Sequence, residues 1–210
     1  MVANPDPCGF SGRTLAWTPE PTVVALVCSA GGLDALKVIL SGLPADFPAS
    51  VIVLQHARPD QPSHLVRILA RFCNLPITDA STGTELRAGH ALVVPPGEHA
   101  LVTTDNRVAL VLSNGTPPYR PSADLLLSSL AIVAGPRTIA VVLSGSGHDG
   151  ATGACAVHDF GGIVLASDAA SSAHFAMPSA AIERDDAVDY VLPVEKIAPA
   201  LIALVDHRTP

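Results

Sequence analysis

Charge is scarce in this chain of 210 residues, and positive charge is the scarcer sign. Asp, Glu, Lys and Arg make up 15% of it, with 12 Lys and Arg against 19 Asp and Glu, for a net charge of −7. No basic run is present to track phosphates, so a nucleic-acid partner is not expected. Long apolar stretches are also lacking. The apolar runs fall well short of the roughly 20 residues a membrane helix needs, so no membrane insertion is expected. Residues 1–21 lack the basic-then-apolar layout of a secretory signal. The four cysteines, Cys8, Cys28, Cys73 and Cys155, have no C-x-x-C spacing. Free thiols in a reducing cytosol are the expectation, and with them a cytoplasmic location. His64, His90, His99, His148, His158, His174 and His207 form no H-x-x-x-H or other tight metal spacing, so surface or turn roles are expected for them. No metal and no cofactor is anticipated. No internal repeat or low-complexity tract occurs.

What the chain has in quantity is apolar residues, 49% of the total. That composition suits one globular domain with an ample core and many fully buried strands. Residues 1–21 carry Pro5, Pro7, Gly9, Gly12, Pro19 and Pro21 with little periodicity. They read as a flexible tail with Trp17 as its one candidate anchor. Residues 22–206 read as the domain. Strand 22–28 leads to a helix near 32–42. A strand follows at Val51 to Gln55, then a helix near 62–73 with Ser63 as cap and Leu65, Ile68, Leu69 and Phe72 on one face. A strand over Pro76 to Ala80 comes next, then strands over Ala91 to Pro95, Ala100 to Thr104 and Val108 to Leu112. The last two flank a hairpin turn at Asp105-Asn106. Beyond the loop Asn114 to Pro118, Ser122 caps a helix to about Ala134. Strand 138–143, helix 151–160, strand 162–167, helix 178–184, strand 188–192 and helix 194–205 complete the pattern. The fold class is therefore α/β: a doubly wound, mostly parallel sheet with helices on both faces and an antiparallel hairpin extension.

Ser29 ends the first apolar strand, and Gly31-Gly32 follows it before a helical pattern. A hydroxyl on such a strand-to-helix turn lies at the positive end of a helix dipole, where α/β hydrolytic enzymes place a nucleophile. His56 and Asp149 fall at or just past two further strand ends, where ligands of such sheets bind. Serine needs a neutral imidazole to take its proton and a carboxylate to orient that imidazole. The three together suggest an esterase, with oxyanion donors from the Gly145-Ser146-Gly147 turn. The G-x-S-x-G elbow is absent, since Val27 stands at its first glycine, and the order Ser, His, Asp differs from that of α/β-hydrolases. A competing reading starts from Gly145-x-Gly147-x-x-Gly150, a dinucleotide-type loop between strand and helix, with Asp168 near the place of a ribose-binding acid. Phe175-Ala176-Met177-Pro178 reads as a packed turn before a helix.

Several segments, taken in order, resemble the catalytic domain of the CheB family of chemotaxis protein-glutamate methylesterases. They are Ser29-x-Gly31-Gly32, Gln55-His56, Gly89-His90-Ala91 before Pro95-Pro96-Gly97, and Arg120-Pro121-Ser122-x-Asp124. Gly145-x-Gly147-x-Asp149-Gly150 and Phe175-x-Met177-Pro178 with Ala181-Ile182 complete the set, over roughly Thr22 to Val205. The resemblance implies a serine esterase that hydrolyses glutamate methyl esters on chemoreceptors, releasing methanol, with glutamine deamidation as a second reaction of the family. It implies Ser29 as nucleophile, His56 as base and Asp149 as orienting acid, with Ala30, Ser146 and Gly147 around the oxyanion. Its implied partner is a methylated chemoreceptor or another methyl-esterified protein. The family's regulatory receiver domain has no counterpart in these residues, so a stand-alone domain, unregulated or controlled by a separate protein, is expected. Departures from the family pattern are Val27 for a glycine, Ala30 for a threonine, Ser146 for a methionine and Ala57 for the methionine after the base. They leave a second function class in view, a catalytically idle binding module in chemosensory signalling.

Overall fold

The computed structural model describes residues 20–58, 63–112 and 120–207. Trp17, most of the expected tail and the loop Asn114 to Pro118 lie outside the described residues. Of the expected tail, Glu20 and Pro21 are held by the Arg137 guanidinium, which donates to the Glu20 carboxylate and to the Pro21 carbonyl.

Nine strands and six helices follow in the order β1 (Thr22–Cys28), α1 (Gly32–Gly42), β2 (Ala49–Gln55), α2 (Leu65–Leu69), β3 (Ile77–Asp79), β4 (Ala91–Val93), β5 (Glu98–Val102), β6 (Val108–Leu112), α3 (Ala123–Ala134), β7 (Thr138–Val142), α4 (Ala151–Asp159), β8 (Ile163–Ser167), α5 (Ala176–Ile182), β9 (Tyr190–Leu192) and α6 (Val194–Asp206) among the described residues. Seven strands form one parallel sheet in the order β3-β4-β2-β1-β7-β8-β9. The expected antiparallel hairpin, β5–β6, forms its own two-stranded sheet, turning at Asn106 with φ 56°. It packs on α3, where the Ser129 hydroxyl accepts from the Val102 N–H.

β1 is apolar on both faces because both are covered. Val24, Leu26 and Cys28 enter one core with α1 and α6, while Val23, Ala25 and Val27 enter the other with α3, α4 and the hairpin. The helices obey the same logic. In α1 the buried residues Gly32, Ala35, Leu36, Ile39 and Leu40 recur at helical spacing and form a single stripe.

Several expected elements differ at their ends, α5 among them at Ala176–Ile182 rather than 178–184, and in two the cause is visible. α2 is five residues long rather than twelve. Past Leu69 the chain continues in single turns, and the Asn74 side chain donates to the Leu43 carbonyl at 2.8 Å. Phe72 is therefore not on the buried face: it is 41% exposed, under the Lys37 ammonium. β5 starts two residues earlier than expected. The Thr103 hydroxyl is taken into the hairpin turn, bonded to Asp105 and the Arg107 carbonyl.

The strand order reverses between β1 and β7. The chain leaves β1 toward α1 on one face and leaves β7 toward α4 on the other. Such a switch point opens a crevice at the carboxyl ends of the strands.

Candidate active site

Ser29 stands at that crevice. The β1–β2 register pairs Val27 with Leu54 and Cys28 with Gln55, and the His56 N–H donates to the Cys28 carbonyl at 3.0 Å. Ser29 and His56 thus follow adjacent strand ends, which run about 4.8 Å apart. Val27 and Leu54 both face the core beneath α3 and α4. The two-residue period of a strand carries Ser29 and His56 to that same face.

The turn at Ser29 is locked from three directions. Gly31 adopts φ 75°, a left-handed conformation that favours glycine. A side chain on Gly32 would lie 2.4 Å from the Cys28 Cβ, so the turn closes only over a bare backbone. Ser144, at the end of β7, is the third lock and was not foreseen from sequence. Its backbone carbonyl accepts from the Ser29 N–H, and its buried hydroxyl donates to the Ala30 carbonyl and accepts from the His174 N–H. Gly145 packs flat against both Ser29 and Met177; a Cβ there would meet the Met177 Sδ at 2.1 Å and the Ser29 Cβ at 2.9 Å. Met177 is fully buried and backs the serine; Ala176–Pro178, expected as a packed turn ahead of the helix, is instead the first turn of α5, with Phe175 at its N-cap.

Asp149 enters from the loop between β7 and α4. Its Oδ2 lies 2.7 Å from His56 Nε2 and accepts from the Ala123 N–H at 2.6 Å. Its Oδ1 accepts from the Asp124 N–H at 3.0 Å and the Ser122 hydroxyl at 3.1 Å. The side chains are 10% and 2% exposed for His56 and Asp149. Burial pushes the Asp149 carboxyl up, but the hydrogen bonds from His56, Ala123 and Asp124 outweigh it, and the group lies below the ordinary carboxylate value. An ionised carboxylate only accepts, so His56 Nε2 carries the hydrogen and Nδ1 is the ring's accepting nitrogen.

The sequence treated Ser122 only as a helix cap. It does cap α3, accepting from the Leu125 N–H, and it also donates to the site carboxylate. His99 departs further from the expectation of a surface or turn role. It is 5% exposed, and its Nδ1 accepts from the Ser122 N–H at 3.0 Å. The sequence placed it just ahead of the expected strand Ala100 to Thr104, whereas β5 begins at Glu98 and takes it in. Burial holds its imidazole below the ordinary value, opposed by Asp149 and reinforced by Arg120.

The other foreseen residues separate clearly. Ala30 and Ser146 are exposed at the site and Gly147, with φ 91°, is half-buried. Among the described residues no hydrogen bond uses the backbone N–H of any of the three. Val27 lies inside β1, paired with Leu54 and Val142, two residues ahead of Ser29. Gly89-His90-Ala91 sits at the opposite, amino-terminal end of β4, where the Gly89 N–H donates to the Ala49 carbonyl. His148 is exposed beside Asp149.

The dinucleotide reading meets a physical obstacle. The Gly150 and Gly153 N–H groups, which a pyrophosphate would need at the start of α4, donate to Asp124 Oδ1 at 2.9 and 2.8 Å. Asp168 accepts from the N–H and hydroxyl of Ser171 in its own loop. Among the described residues no group of three or more His, Cys, Asp or Glu is placed to hold a metal, and no helix is long and apolar enough to cross a membrane.

A doubly wound domain with a serine, a histidine and a hydrogen-bonded aspartate at its switch point belongs with the α/β proteins that carry their chemistry on strand ends. The particular family is shown by comparison. The chain belongs to the CheB methylesterase family, whose model matches residues 24–201. It is 39% identical over 199 residues to a Moorella thermoacetica protein named protein-glutamate methylesterase/protein-glutamine glutaminase, covering 93% of this chain and 47% of that one. A Pseudomonas aeruginosa protein of the same name, numbered 2, is 38% identical over 89% of this chain and 54% of its own length. The chain thus spans about half the length of these curated relatives. A Leptospira interrogans relative, 34% identical, is matched over 93% of its own length. The crystal structure of the Thermotoga maritima CheB methylesterase catalytic domain superposes with a TM-score of 0.84 at 34% identity, covering 89% of this chain and 100% of that one.

Proposed function

We propose that this protein is a serine esterase that hydrolyses glutamate methyl esters on chemoreceptor proteins, with Ser29, His56 and Asp149 as its triad. The observation that carries the reading is the 2.7 Å bond between His56 Nε2 and Asp149 Oδ2, two residues 93 positions apart. With Nε2 donating to Asp149, Nδ1 accepts the Ser29 proton as Oγ attacks the ester carbonyl. Negative charge then collects on the carbonyl oxygen. The backbone N–H of Ala30, with that of Ser146 or Gly147, is the donor pair assigned to it. The imidazolium returns its proton to the departing oxygen, and methanol leaves. Water, deprotonated by His56, cleaves the acyl-enzyme and frees the glutamate carboxylate and Ser29.

The same steps act on a glutamine side chain with ammonia as the leaving group, in keeping with the double name of the relatives. The departures at Ala30 and Ser146 change side chains, whereas the assigned donors are backbone groups, which favours chemistry over an idle module. Cys28, Cys73 and Cys155 are unpaired, in keeping with action in the cytoplasm.

The test is methanol release from methylated chemoreceptor by the wild type and by Ser29→Ala. Release that disappears in a folded mutant supports the reading. A folded wild type that releases none overturns it.

A further inference from the structure

We propose that Asp124 is a positioning residue for this site: by tying the first turn of α4 to the first turn of α3, it fixes the Asp149 carboxylate on His56. The inference rests on the triad reading above and adds a residue that does not touch the reacting atoms.

Its basis is a reciprocal exchange of caps. Asp149 precedes α4 by two residues, yet it accepts from N–H groups at the start of α3, those of Ala123 and Asp124. Asp124 belongs to the first turn of α3, yet its Oδ1 accepts from N–H groups at the start of α4, those of Gly150 and Gly153. Each carboxylate satisfies the orphan donors of the helix that carries the other. The two helices are close enough for this because Gly153 has no side chain. A Cβ there would lie 2.6 Å from the Leu127 Cβ and 3.2 Å from the Asp124 backbone.

The consequence is geometric. The Asp149 backbone is joined directly to Gly150, whose N–H is one of the two groups Asp124 holds. His56 directly follows β2 and belongs to neither α3 nor α4. If α4 drifts from α3, Asp149 moves with it and the 2.7 Å bond to His56 opens. Two carboxylates this close also repel. Burial raises the Asp124 carboxyl above the ordinary value and the neighbouring Asp149 charge adds to that. Asp124 is half-buried beside that charge with its Oδ1 bonded to the start of α4, which fits a role in placing Asp149 better than one in surface solvation.

The test uses the full chain with Asp124→Ala and Asp124→Asn, read by kcat and KM for methanol release and by the NMR signal of the hydrogen-bonded His56 N–H. Alanine removes the acceptor; asparagine keeps an oxygen acceptor without the charge. The expected result is a kcat lower by about ten- to hundredfold in the alanine variant, with KM within about twofold and the downfield His56 N–H signal lost. Asparagine restores most of kcat and the signal. A folded alanine variant with wild-type kcat and signal overturns the inference, as does an asparagine variant as impaired as the alanine one. If the alanine variant does not fold, Asp124→Glu takes its place, since one added methylene displaces the acceptor while keeping the charge. Wild-type kcat and signal in that variant overturn the inference. A wild type without methanol release refutes the esterase reading instead, and the His56 signal still reports on Asp124.

Discussion

Replacing Asp149 with asparagine tests the site at its most crowded point. The carboxylate accepts four hydrogen bonds and offers none, two at each oxygen. Asparagine has one accepting oxygen and one NH2 group, so one pair of donors must face another donor. With NH2 at the Oδ2 place, it meets the Ala123 N–H at 2.6 Å and His56 Nε2 at 2.7 Å. The imidazole can answer by moving its hydrogen to Nδ1, but the backbone N–H cannot. With NH2 at the Oδ1 place, the Asp124 N–H is stranded and the Ser122 hydroxyl also loses its acceptor. The first arrangement strands one donor fewer and prevails. A stranded buried donor costs about 1–3 kcal/mol, which in a domain of this size lowers Tm by about 2–12 °C. The shifted tautomer leaves Nδ1 unable to accept from Ser29, a fault that costs a triad about ten-thousandfold in kcat. Methanol release and a thermal melt on the same preparation measure both. An Asp149→Asn protein with kcat within tenfold of wild type would refute the reasoning.

Three further outcomes follow from other contacts. Because burial holds His99 below its ordinary value, the folded state takes up that proton less readily than the unfolded chain. Its stabilisation is complete above the ordinary histidine value near pH 6.5 and is lost as pH falls through the lowered one, at no more than about 1.4 kcal/mol per pH unit. His99→Asn, which keeps an acceptor for the Ser122 N–H, should give a flatter Tm between about pH 7 and about pH 5; parallel curves would rule the explanation out. Gly145→Ala drives a methyl group into Met177 and Ser29, so it should cost about 1–3 kcal/mol and depress kcat by displacing Ser29, the proposed nucleophile, and an unchanged melt would contradict the packing. Burial pushes the Cys28 thiol up to about 12, so iodoacetamide should leave it unmodified until the protein unfolds, and mass spectrometry of the native protein showing Cys28 alkylated would overturn that.

The secondary structure was legible because its signals are local. β1 shows as an unbroken apolar run, α1 as a stripe at helical spacing, the hairpin as Asp105-Asn106 and the start of α3 as Ser122. Ser29 and His56 could be picked out because each directly follows a strand, and Asp149 because it lies in the glycine-rich loop between β7 and α4. Element ends were harder to place: α2 stops at Leu69, before Asn74 bonds the Leu43 carbonyl 31 positions away, and β5 is displaced by the bonds of Thr103 within its own hairpin turn, which apolar patterning does not mark.

Periodicity and turn chemistry act over a few residues, so residue order alone was enough for the alternation of strands and helices and for a serine on a glycine turn. Strand order, and with it the crevice between β1 and β7, came from packing both faces of the sheet at once. The burial of His99, the Ser144 clasp and the crossed caps of Asp124 and Asp149 arose the same way. Their partners lie 23 to 114 positions apart, and no local pattern marks a contact of that range. Only the folded core, by bringing those backbone donors and side-chain acceptors out of water together, makes each of them need the other.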